Sequence, residues 1–200
     1  MPDATQKFLF RGQQFICPKG AYLPSDDSFL LAEATKVPQG GTCLDMGCGP
    51  GTQSISMLMQ GAAKVIAADI NEKALEAAKK NCISAGYGNK MECVKSDLFE
   101  NVDGNFDLIV FNPPYLPVNE TEKKYIDLDG GKKGREVLDR FLEQMPGHLK
   151  KNGECYFLQT DINGTAKTEK ALKSLGMEFE ITARKRIFFE ELIVYRARKK

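Results

Sequence analysis

The sequence contains few of the residues from which metal sites and disulfide frameworks are built. It has one histidine, His148, and none of its six cysteines forms a C-x-x-C pair with another. Structural zinc sites draw on several closely spaced cysteine and histidine ligands, so no metal site made by this chain alone is expected. The cysteine spacing does not suggest a disulfide framework, and reduced thiols in a reducing compartment are the simplest interpretation.

The sequence also lacks an excess of positive or negative charge, and it lacks a long apolar run. Lys and Arg together number 28, and Asp and Glu 27, whereas a dedicated nucleic-acid binder is usually more basic. The longest basic cluster ends the chain, where it is interpreted as a solvated tail, and consists of Arg196, Arg198, Lys199 and Lys200. No apolar run approaches the roughly 18 residues that a membrane helix needs, and no signal segment opens the chain. We therefore expect no membrane association and a cytoplasmic location, or a nuclear one if the source has a nucleus.

Apolar runs and helical patterns alternate along the chain. Strand-like runs cover 42–47, 64–70, 91–95, 106–111 and 154–159, and helical patterns cover 26–34, 52–60, 71–85, 135–149 and 165–175. Ser25 and Asn71 are expected helix caps, and Pro146 is expected to bend its helix. The last apolar stretches, 177–183 and 188–197, have no helix between them and predict an antiparallel pair at one edge.

This order of elements predicts an α/β fold. We expect an open three-layer, Rossmann-like sheet, mostly parallel, of seven strands that end in a C-terminal antiparallel hairpin. No internal repeat or low-complexity linker interrupts the pattern. We therefore expect one domain over 1–200, in which 1–21 is a short N-terminal extension and not a separate helical domain.

Polar residues lie at the carboxyl ends of the first four predicted strands. They are Asp45, Asp69, Asp97 and Asn112, in chain order. In open α/β sheets the ligand site lies beyond the carboxyl ends of the strands, near the switch in strand order. The sequence therefore predicts a pocket at this edge of the sheet.

A glycine-rich loop, L-D-M-G-C-G-P-G over 44–51, joins the first of these strands to its helix. Gly47, Gly49 and Gly51 would allow a tight turn and a close approach of a ligand to the backbone. The spacing differs from G-x-G-x-x-G, and no Lys-Ser or Lys-Thr follows as in a P-loop. Asp45 precedes the glycines and would repel a pyrophosphate but attract an ammonium or sulfonium group. The alternative is a structural glycine turn followed by ordinary capping aspartates.

The stretch V-F-N-P-P-Y-L-P-V over 110–118 ends the fourth strand with three prolines. Pro113 restricts Asn112 to an extended conformation, and neither Pro113 nor Pro114 has an N–H. The loop would present two fixed acceptors, the Asn112 side-chain oxygen and the Pro113 carbonyl, beside the ring of Tyr115. That arrangement suits a planar target that carries an NH₂ group. For the motif alone, the alternatives are a rigid turn and a proline-motif docking site.

Together these motifs resemble those of class I S-adenosylmethionine-dependent methyltransferases. The resemblance implies S-adenosyl-L-methionine as the cofactor. Asp69 is placed to accept both ribose hydroxyls, Asp97 could accept a hydrogen bond from the adenine amino group, and Leu98 could lie on the adenine ring. N-P-P-Y in this position is similar to methyltransferases that act on adenine in nucleic acid, on guanine amino groups in RNA, or on protein glutamine.

Two further stretches resemble the HemK family of release-factor glutamine methyltransferases. They are Y-L-P-S-D-D-S-F-L-L over 22–31 and D-G-G-K-K-G-R-E-V-L-D-R-F-L over 129–142. On the first match, Asp27 and Ser28 are candidate cofactor contacts, the alternative being that they only begin a helix. On the second, a glycine-rich stretch followed by an arginine flanks the substrate cleft. Many members of the family have glutamate at the position of Asp45. Aspartate is shorter but carries the same negative charge.

Too few residues precede Tyr22 for the helical domain of bacterial members, so the chain resembles the short archaeal and eukaryotic branch. The resemblance implies methylation of the glutamine in the Gly-Gly-Gln motif of a class I peptide chain release factor. It also implies catalytic roles for Asn112, Pro113, Pro114 and Tyr115, and Asn112 is a candidate cofactor contact as well. Members of that branch commonly need a small zinc-binding partner subunit, which would add a strand beside Met91–Lys95, the expected sheet edge.

Two alternatives to a protein-glutamine methyltransferase remain at this stage. One is a nucleic-acid amino-group methyltransferase, acting on adenine or guanine, which the near-neutral charge disfavours. The other is a catalytically silent scaffold with the same fold. Because Asp45, Asp69, Asp97 and Asn112 are all present, the scaffold is the weaker of the two.

Overall fold

The computed structural model describes residues 5–116, 130–131 and 134–199. Its strands are β1 (Gln6–Phe10), β2 (Gln13–Cys17), β3 (Thr42–Met46), β4 (Lys64–Asp69), β5 (Met91–Lys95), β6 (Phe106–Phe111), β7 (Leu149–Thr160), β8 (Met177–Ile187) and β9 (Glu190–Lys199). Its helices are α1 (Asp26–Ala34), α2 (Thr52–Met59), α3 (Glu72–Ser84), α4 (Glu136–Gln144) and α5 (Thr165–Ser174). Residues 117–129 and 132–133, which fall between the predicted strand over 106–111 and the helix predicted from 135, lie outside the described residues.

Strands β3 to β9 form one seven-stranded sheet in the order β5-β4-β3-β6-β7-β9-β8. The pairs from β5 to β7 are parallel, and β9 runs antiparallel to both β7 and β8. The predicted open sheet with a C-terminal antiparallel hairpin is confirmed. The strand order switches between β3 and β6, where Met46 pairs with Phe111. The glycine loop and the Asn-Pro-Pro-Tyr loop therefore leave the sheet side by side, where ligands of such sheets bind.

The core lies on both faces of the sheet. Along β6, Ile109 and Phe111 join one buried cluster while Leu108 and Val110 join the other. This alternation explains why the strand reads as a continuous apolar run, since both of its faces are covered. The six cysteines are free thiols. In the described part of the chain, no helix is long and apolar enough to cross a membrane.

The N-terminal extension contains a β-hairpin that the sequence interpretation missed. Strands β1 and β2 pair around Arg11 and Gly12, whose φ angles are 47° and 78°. Positive φ at both turn residues is the geometry of a tight hairpin turn. Asn81 of α3 holds the hairpin in place, because its side chain accepts from the Ile16 N–H at 2.9 Å and donates to the Ile16 carbonyl at 2.8 Å.

Two local expectations need correction. Ser25 stands at the N-cap of α1 but makes no side-chain capping bond; its hydroxyl donates instead to Asp27 Oδ1 at 3.0 Å. The helix predicted over 135–149 is shorter, because α4 ends at Gln144 and a 3-10 turn covers Met145–His148 before β7 begins. Pro146 has no N–H to donate to the preceding turn, which explains why the helix ends here and is not merely bent.

The basic cluster at the C-terminus is not a solvated tail. Arg196 lies within β9 and pairs with Glu154 of β7 and, at 2.7 Å, with Glu180 of β8. Arg198 pairs with Glu178 at 2.8 Å. The hydrogen bonds that Arg196 donates to Glu154 and, second in weight, to Glu180 raise the pKa of its guanidinium. The charge of these arginines is thus matched across neighbouring strands, while Lys200 lies outside the described residues.

Candidate active site

Asn112 directly follows β6, and the nitrogen and oxygen of its side-chain amide lie in different surroundings. Its Nδ2 donates to Asp27 Oδ2 at 3.0 Å. Its Oδ1 is buried and has no hydrogen-bond partner in the described part of the chain. A buried acceptor without a donor costs about 1–3 kcal/mol. The site therefore holds an acceptor that is ready for a donor from outside the protein.

Asp27, in the first turn of α1, is the centre of the polar network behind Asn112. It is 1% exposed, and its Oδ1 accepts from the Ser28 N–H at 2.6 Å and from the Tyr22 hydroxyl at 2.9 Å. Its Oδ2 accepts from Asn112. Because an ionised carboxylate only accepts hydrogen bonds, Asp27 fixes which end of the Asn112 amide faces it. Asn112 Oδ1 is thereby turned away from the Asp27 carboxylate.

Asp27 and Ser28 were expected to touch a cofactor or only to begin a helix. The second alternative is wrong, since the Asp27 carboxylate reaches the Asn-Pro-Pro-Tyr loop 85 residues further along the chain. The Ser28 hydroxyl also lies 3.5 Å from Asn112 Nδ2. Their role as cofactor contacts stays a prediction.

Tyr115 and Tyr22 both direct their hydroxyls at Asp27. The Tyr115 hydroxyl donates to Asp27 Oδ2 at 3.2 Å. Burial raises the pKa of each phenol, and the charge of Asp27 raises it further. Both hydroxyls therefore stay protonated near neutral pH, so each is a hydrogen-bond donor and neither is a base.

The two prolines hold the loop backbone in place. Every described peptide bond is trans, including those on either side of Pro113. Pro113 is buried, and no described group donates a hydrogen bond to its carbonyl. The predicted role of this carbonyl as a second acceptor beside Asn112 Oδ1 stays a prediction.

The glycines after the loop pack directly on its backbone. The Gly130 N–H donates to the Leu116 carbonyl at 3.0 Å. A Cβ on Gly130 would lie 2.7 Å from the Pro114 carbonyl oxygen, and a Cβ on Gly134 would collide with the Tyr115 carbonyl oxygen. Glycine is needed here because any larger residue would push the Asn-Pro-Pro-Tyr loop away.

Arg135, expected beside the substrate cleft, lies inside the fold. It is 5% exposed, and its Nη1 donates to the Asn163 carbonyl at 2.7 Å and to Thr168 Oγ1 at 2.8 Å. Asn163 in turn donates from Nδ2 to the Tyr115 carbonyl at 2.8 Å. The arginine therefore supports the turn that holds Tyr115 and does not line the cleft.

Asp45, at the carboxyl end of β3, has a second unsatisfied oxygen. Its Oδ2 accepts from the N–H of Ser54 at 2.7 Å and from its hydroxyl at 2.6 Å, whereas Oδ1 is buried without a partner in the described structure. Burial raises the pKa of this carboxyl to about 7, and the charge of Asp69 adds to the rise. A buried carboxylate oxygen that lacks a hydrogen-bond donor is suited to a cationic group, such as the ammonium of an amino-acid-like cofactor.

The glycine loop is shaped mainly by packing inside the protein. A Cβ on Gly51 would lie 3.1 Å from the Cβ of Ala78, and a Cβ on Gly47 would lie 3.1 Å from the ring of Phe111. A Cβ on Gly49 would meet nothing within 4 Å. Gly49 is therefore the glycine of the three at which a ligand can approach the backbone most closely.

Asp69 at the end of β4 braces this loop. Its Oδ2 accepts from the Gly49 N–H and its Oδ1 from the Asn71 N–H, both at 2.8 Å. Asp97, after β5, accepts from Arg140 Nη2 at 2.9 Å. Leu98 is 6% exposed and has a φ of 48°. The expected contacts of these residues with ribose, adenine amino group and adenine ring stay predictions.

Sequence reasoning missed Asn163 as a support for the site, although a signal for it existed. Asn163 follows β7 in the motif D-I-N-G, so it stands at a strand carboxyl end just as Asp45 and Asn112 do. Ser54, the partner of Asp45, carried no comparable signal. It occupies the first turn of α2, and only the folded chain brings it to Asp45.

The sheet order, the acid and glycine loop after β3, and Asn-Pro-Pro-Tyr after β6 define a class I methyltransferase. The chain belongs to the methyltransferase small domain family, whose family model matches residues 25–189. A protein of Methanocaldococcus jannaschii, provisionally named a protein N5-glutamine methyltransferase, is 44% identical over 181 residues, which cover 88% of this chain and 90% of the relative. Methyltransferase HEMK2 of Mus musculus is 30% identical over 179 residues, with 80% and 81% covered.

A solved structure agrees with these relatives. A chain of the E. cuniculi Mtq2–Trm112 complex, described as responsible for methylation of the eRF1 translation termination factor, is 26% identical with a TM-score of 0.73. The match covers 90% of this chain and 99% of that one. The resemblance to the short protein-glutamine methyltransferases of the HemK type is confirmed, and the protein is an enzyme of that group.

Proposed function

We propose that the protein transfers a methyl group from S-adenosyl-L-methionine to the glutamine side-chain amide in the Gly-Gly-Gln motif of a class I peptide chain release factor. The observation that carries the proposal is the buried Oδ1 of Asn112, an acceptor with no donor among the described residues and with its orientation fixed by Asp27. The relatives named as protein-glutamine methyltransferases support the same substrate class.

The geometry suits an amide nitrogen because such a group offers two N–H donors in one plane. Asn112 Oδ1 and the Pro113 carbonyl are the two acceptors that would receive them. The amide nitrogen is a poor nucleophile, since its lone pair is delocalised into the carbonyl. Alignment of that lone pair with the methyl group supplies orientation, and acceptors that bind more strongly as positive charge develops on nitrogen supply electrostatic stabilisation.

The site does not need a strong base beside the nitrogen. The nitrogen becomes acidic only as it is alkylated, so the proton that it loses can pass to water, and the phenols of Tyr115 and Tyr22 stay protonated throughout. The Asp27 carboxylate accepts from Asn112 Nδ2 and so polarises the amide, which strengthens Oδ1 as an acceptor. Asn112 can therefore stabilise developing positive charge while it remains neutral itself.

The cofactor, when bound, supplies an electrophilic methyl group on a sulfonium. The residues that would hold it lie at or just after the carboxyl ends of β3, β4 and β5. Asp45 Oδ1 would receive the ammonium group, Gly49 would let the cofactor approach the loop backbone, and Asp69 would accept the ribose hydroxyls. Asp97 and Leu98 would contact the adenine, and Asn112 would lie between cofactor and substrate.

A small partner subunit is part of the proposal, because the E. cuniculi relative is found in complex with Trm112. Strand β5 is an edge of the sheet and pairs only with β4 among the described strands. We infer that a zinc-binding partner adds a strand alongside β5. Met91, Cys93 and Val94 are only partly buried there, and an uncovered edge of this kind promotes association.

Release factors act in translation, so the proposed substrate places the enzyme in the cytoplasm, a reducing compartment that suits free thiols. Nucleic acid is the less supported substrate, because the arginines of β9 are neutralised by glutamates. Binding of a nucleic-acid substrate would also weaken steeply between low and moderate salt.

The direct test is mass spectrometry of a release factor incubated with labelled cofactor, with and without the partner subunit. We expect the label in the peptide that contains Gly-Gly-Gln and none in a release factor whose motif glutamine is replaced by alanine. Total RNA incubated in parallel is the comparison. Label in the RNA fraction and none in the release factor would contradict the proposal.

A further inference from the structure

The turn between β8 and β9 carries two exposed aromatic side chains. Phe188 is 97% and Phe189 94% exposed, more than any other large apolar side chain in the described structure. Single exposed apolar residues are ordinary, but adjacent aromatic rings in solvent mark an interaction surface. The position of this turn relative to the active site indicates what it contacts.

The turn lies at the active-site edge of the sheet. β9 is antiparallel to β7, and Leu192 pairs with Thr160, the last residue of β7. The turn that joins β8 to β9 therefore stands next to the carboxyl end of β7. This is the edge at which Asn112 leaves β6, since β6 and β7 are parallel neighbours.

Hydrogen bonds connect the hairpin to the Asn-Pro-Pro-Tyr loop. The Glu191 N–H donates to Asp161 Oδ1 at 2.9 Å, and two residues later Asn163 donates to the Tyr115 carbonyl at 2.8 Å. Two further exposed apolar side chains occur along this path, Ile162 at 54% and Leu116 at 38%. Exposed apolar side chains therefore extend from the β8–β9 turn toward the Asn-Pro-Pro-Tyr loop.

The backbone at Phe188 is strained. Its φ is 31°, a left-handed value that bulky side chains rarely adopt and that glycine tolerates. The ring buries no surface that would offset this strain. Strained residues of this kind concentrate at functional sites. Phe188 therefore has the properties of a side chain retained for contact with another molecule.

Glu190, the next residue but one, has an unsatisfied oxygen. Its Oε2 is buried without a hydrogen-bond partner in the part of the chain that the structure describes. Ile187 and Leu192, on either side of it, pack in the same apolar cluster as Tyr115, and its charge contributes to the raised pKa of Tyr115. A buried carboxylate oxygen at that position can accept a hydrogen bond from an N–H of the substrate.

The charges of the hairpin favour a protein occupant over a nucleic acid. Its cationic side chains are already paired, Lys185 with Asp26 at 3.2 Å, Arg186 with Asp161 at 3.5 Å, and Arg184 with Glu191. Nucleic-acid binding depends on cations that neutralise phosphates. The exposed rings of Phe188 and Phe189, next to cations that are already paired, instead suit a protein partner. Such a partner would present an uncharged loop flanked by apolar side chains.

We propose that the β8–β9 turn is a docking element for the protein substrate, with Phe188 and Phe189 packed against apolar side chains beside the methylated loop and Glu190 accepting from a backbone N–H of that loop. The inference rests on the proposed function, because the occupant is taken to be the protein that presents the target glutamine. It adds a contact surface outside the residues that hold the amide.

The test compares Phe188→Gly/Phe189→Ser with the wild-type enzyme on two substrates, the full-length release factor and a short peptide that contains Gly-Gly-Gln. We expect KM for the full-length protein to rise about tenfold or more, as for loss of aromatic anchors, with kcat and the peptide kinetics unchanged. The melting temperature should stay the same or rise, since glycine relieves the strain at 188. Leu9→Ser/Ile83→Ser, which alters apolar residues 69% and 57% exposed elsewhere, should leave KM unchanged.

Glu190→Ala provides a second, independent variant. It should raise KM for the peptide as well as for the full-length protein, because its partner lies in the methylated loop. An unchanged KM for the full-length substrate in the aromatic variant would overturn the inference while leaving the proposed function intact. Loss of single-stranded oligonucleotide binding in that variant, with KM unchanged, would reassign the turn to nucleic acid. No transfer to the release factor by the wild-type enzyme would overturn both proposals.

Discussion

The Asn112 amide nitrogen donates to the Asp27 carboxylate at 3.0 Å, and this bond decides which atom of Asn112 is left as an acceptor without a partner in the described structure. An unrestrained asparagine amide can rotate and exchange its oxygen and nitrogen. Asp27 prevents the exchange because it cannot donate a hydrogen bond to Oδ1. The acidic residue at the start of α1 and the amide at the end of β6 therefore act as one unit.

Removal of the Asn112 amide should slow methyl transfer severely and spare cofactor binding. In Asn112→Ala the two-acceptor arrangement is lost, and we expect kcat to fall by about 10²–10³, as for loss of a preorganised electrostatic contact. The cofactor Kd, measured by calorimetry, should change little. Asn89→Ala, at an exposed position, is the matched control. A large loss of cofactor affinity in Asn112→Ala would show that its role has been misassigned.

Conversion of Asp27 to asparagine should lower kcat more than it raises KM. The new amide can donate to Asn112 Oδ1, so the Asn112 side chain is no longer held in one orientation. We expect a fall in kcat of about 10–100-fold, since misplaced groups lose orientation effects. Asp26→Asn changes the neighbouring, exposed carboxylate and should leave kcat as it is. Equal losses in the two variants would argue against a positioning role for Asp27.

The carboxyl of Asp45 should make the stability of the free protein fall as pH rises. Its folded-state pKa is raised from 3.8 to about 7, so its contribution to stability is fully present below about pH 4 and is lost as pH rises through about 7. Asp45→Asn should remove this part of the pH dependence, seen as the wild-type-minus-variant difference in melting temperature. A difference that is independent of pH would contradict the assignment.

Cofactor affinity should change with pH in the opposite sense. A cationic group favours the ionised form of Asp45, so the affinity of the wild-type enzyme should increase between about pH 5.5 and 7. Calorimetric titration across that range checks this. Asp45→Asn should bind the cofactor more weakly and show a smaller increase over the same range.

Replacement of Asp69 should affect both the cofactor and the loop. Asp69→Ala removes the proposed partner of the ribose hydroxyls and should weaken cofactor binding by about 1–3 kcal/mol. It also leaves the Gly49 and Asn71 N–H groups without their acceptor, so the melting temperature should fall. Asp103→Ala, at an exposed position, is the control. Unaltered cofactor affinity would rule out the ribose contact.

A methyl group at Gly134 should displace the Asn-Pro-Pro-Tyr loop by contact with its backbone. In Gly134→Ala the new Cβ would meet the Tyr115 carbonyl oxygen, and the φ of 64° is unfavourable for alanine. We expect loss of activity together with about 1–3 kcal/mol of stability, as for overpacked sites. Gly147→Ala, where a Cβ meets nothing within 4 Å, should be close to neutral in chemical denaturation and in the transfer assay.

The parts of the fold that could be predicted from the sequence are those with strong local patterns. The parallel strands from β3 to β6 are short apolar runs that end in polar residues, and their register brings the predicted pocket residues to one edge. The hairpin around Arg11 and Gly12 had a readable turn signal, but its apolar residues were not recognised as core. Phe10 and Phe15 are in fact buried in it.

The missed features depend on partners that are distant in the sequence. The C-terminal arginines look like a tail until β9 is placed between β7 and β8, where Glu154 and Glu180 meet Arg196. Asp27 looks like a helix-starting residue until Asn112 is folded against it. Local pattern located the candidate acceptor, and tertiary contacts alone revealed what orients it.

Two of the buried oxygens that have no partner in the described structure, Oδ1 of Asn112 and Oδ1 of Asp45, lower the stability of the protein below what its sequence could reach. Conversion of such atoms to apolar groups commonly strengthens a protein while it removes function. These two oxygens thus lower the stability of the free protein. They would raise the stability of the complex, because bound ligands would donate hydrogen bonds to them. Selection for heat resistance alone would be expected to discard these two side chains first.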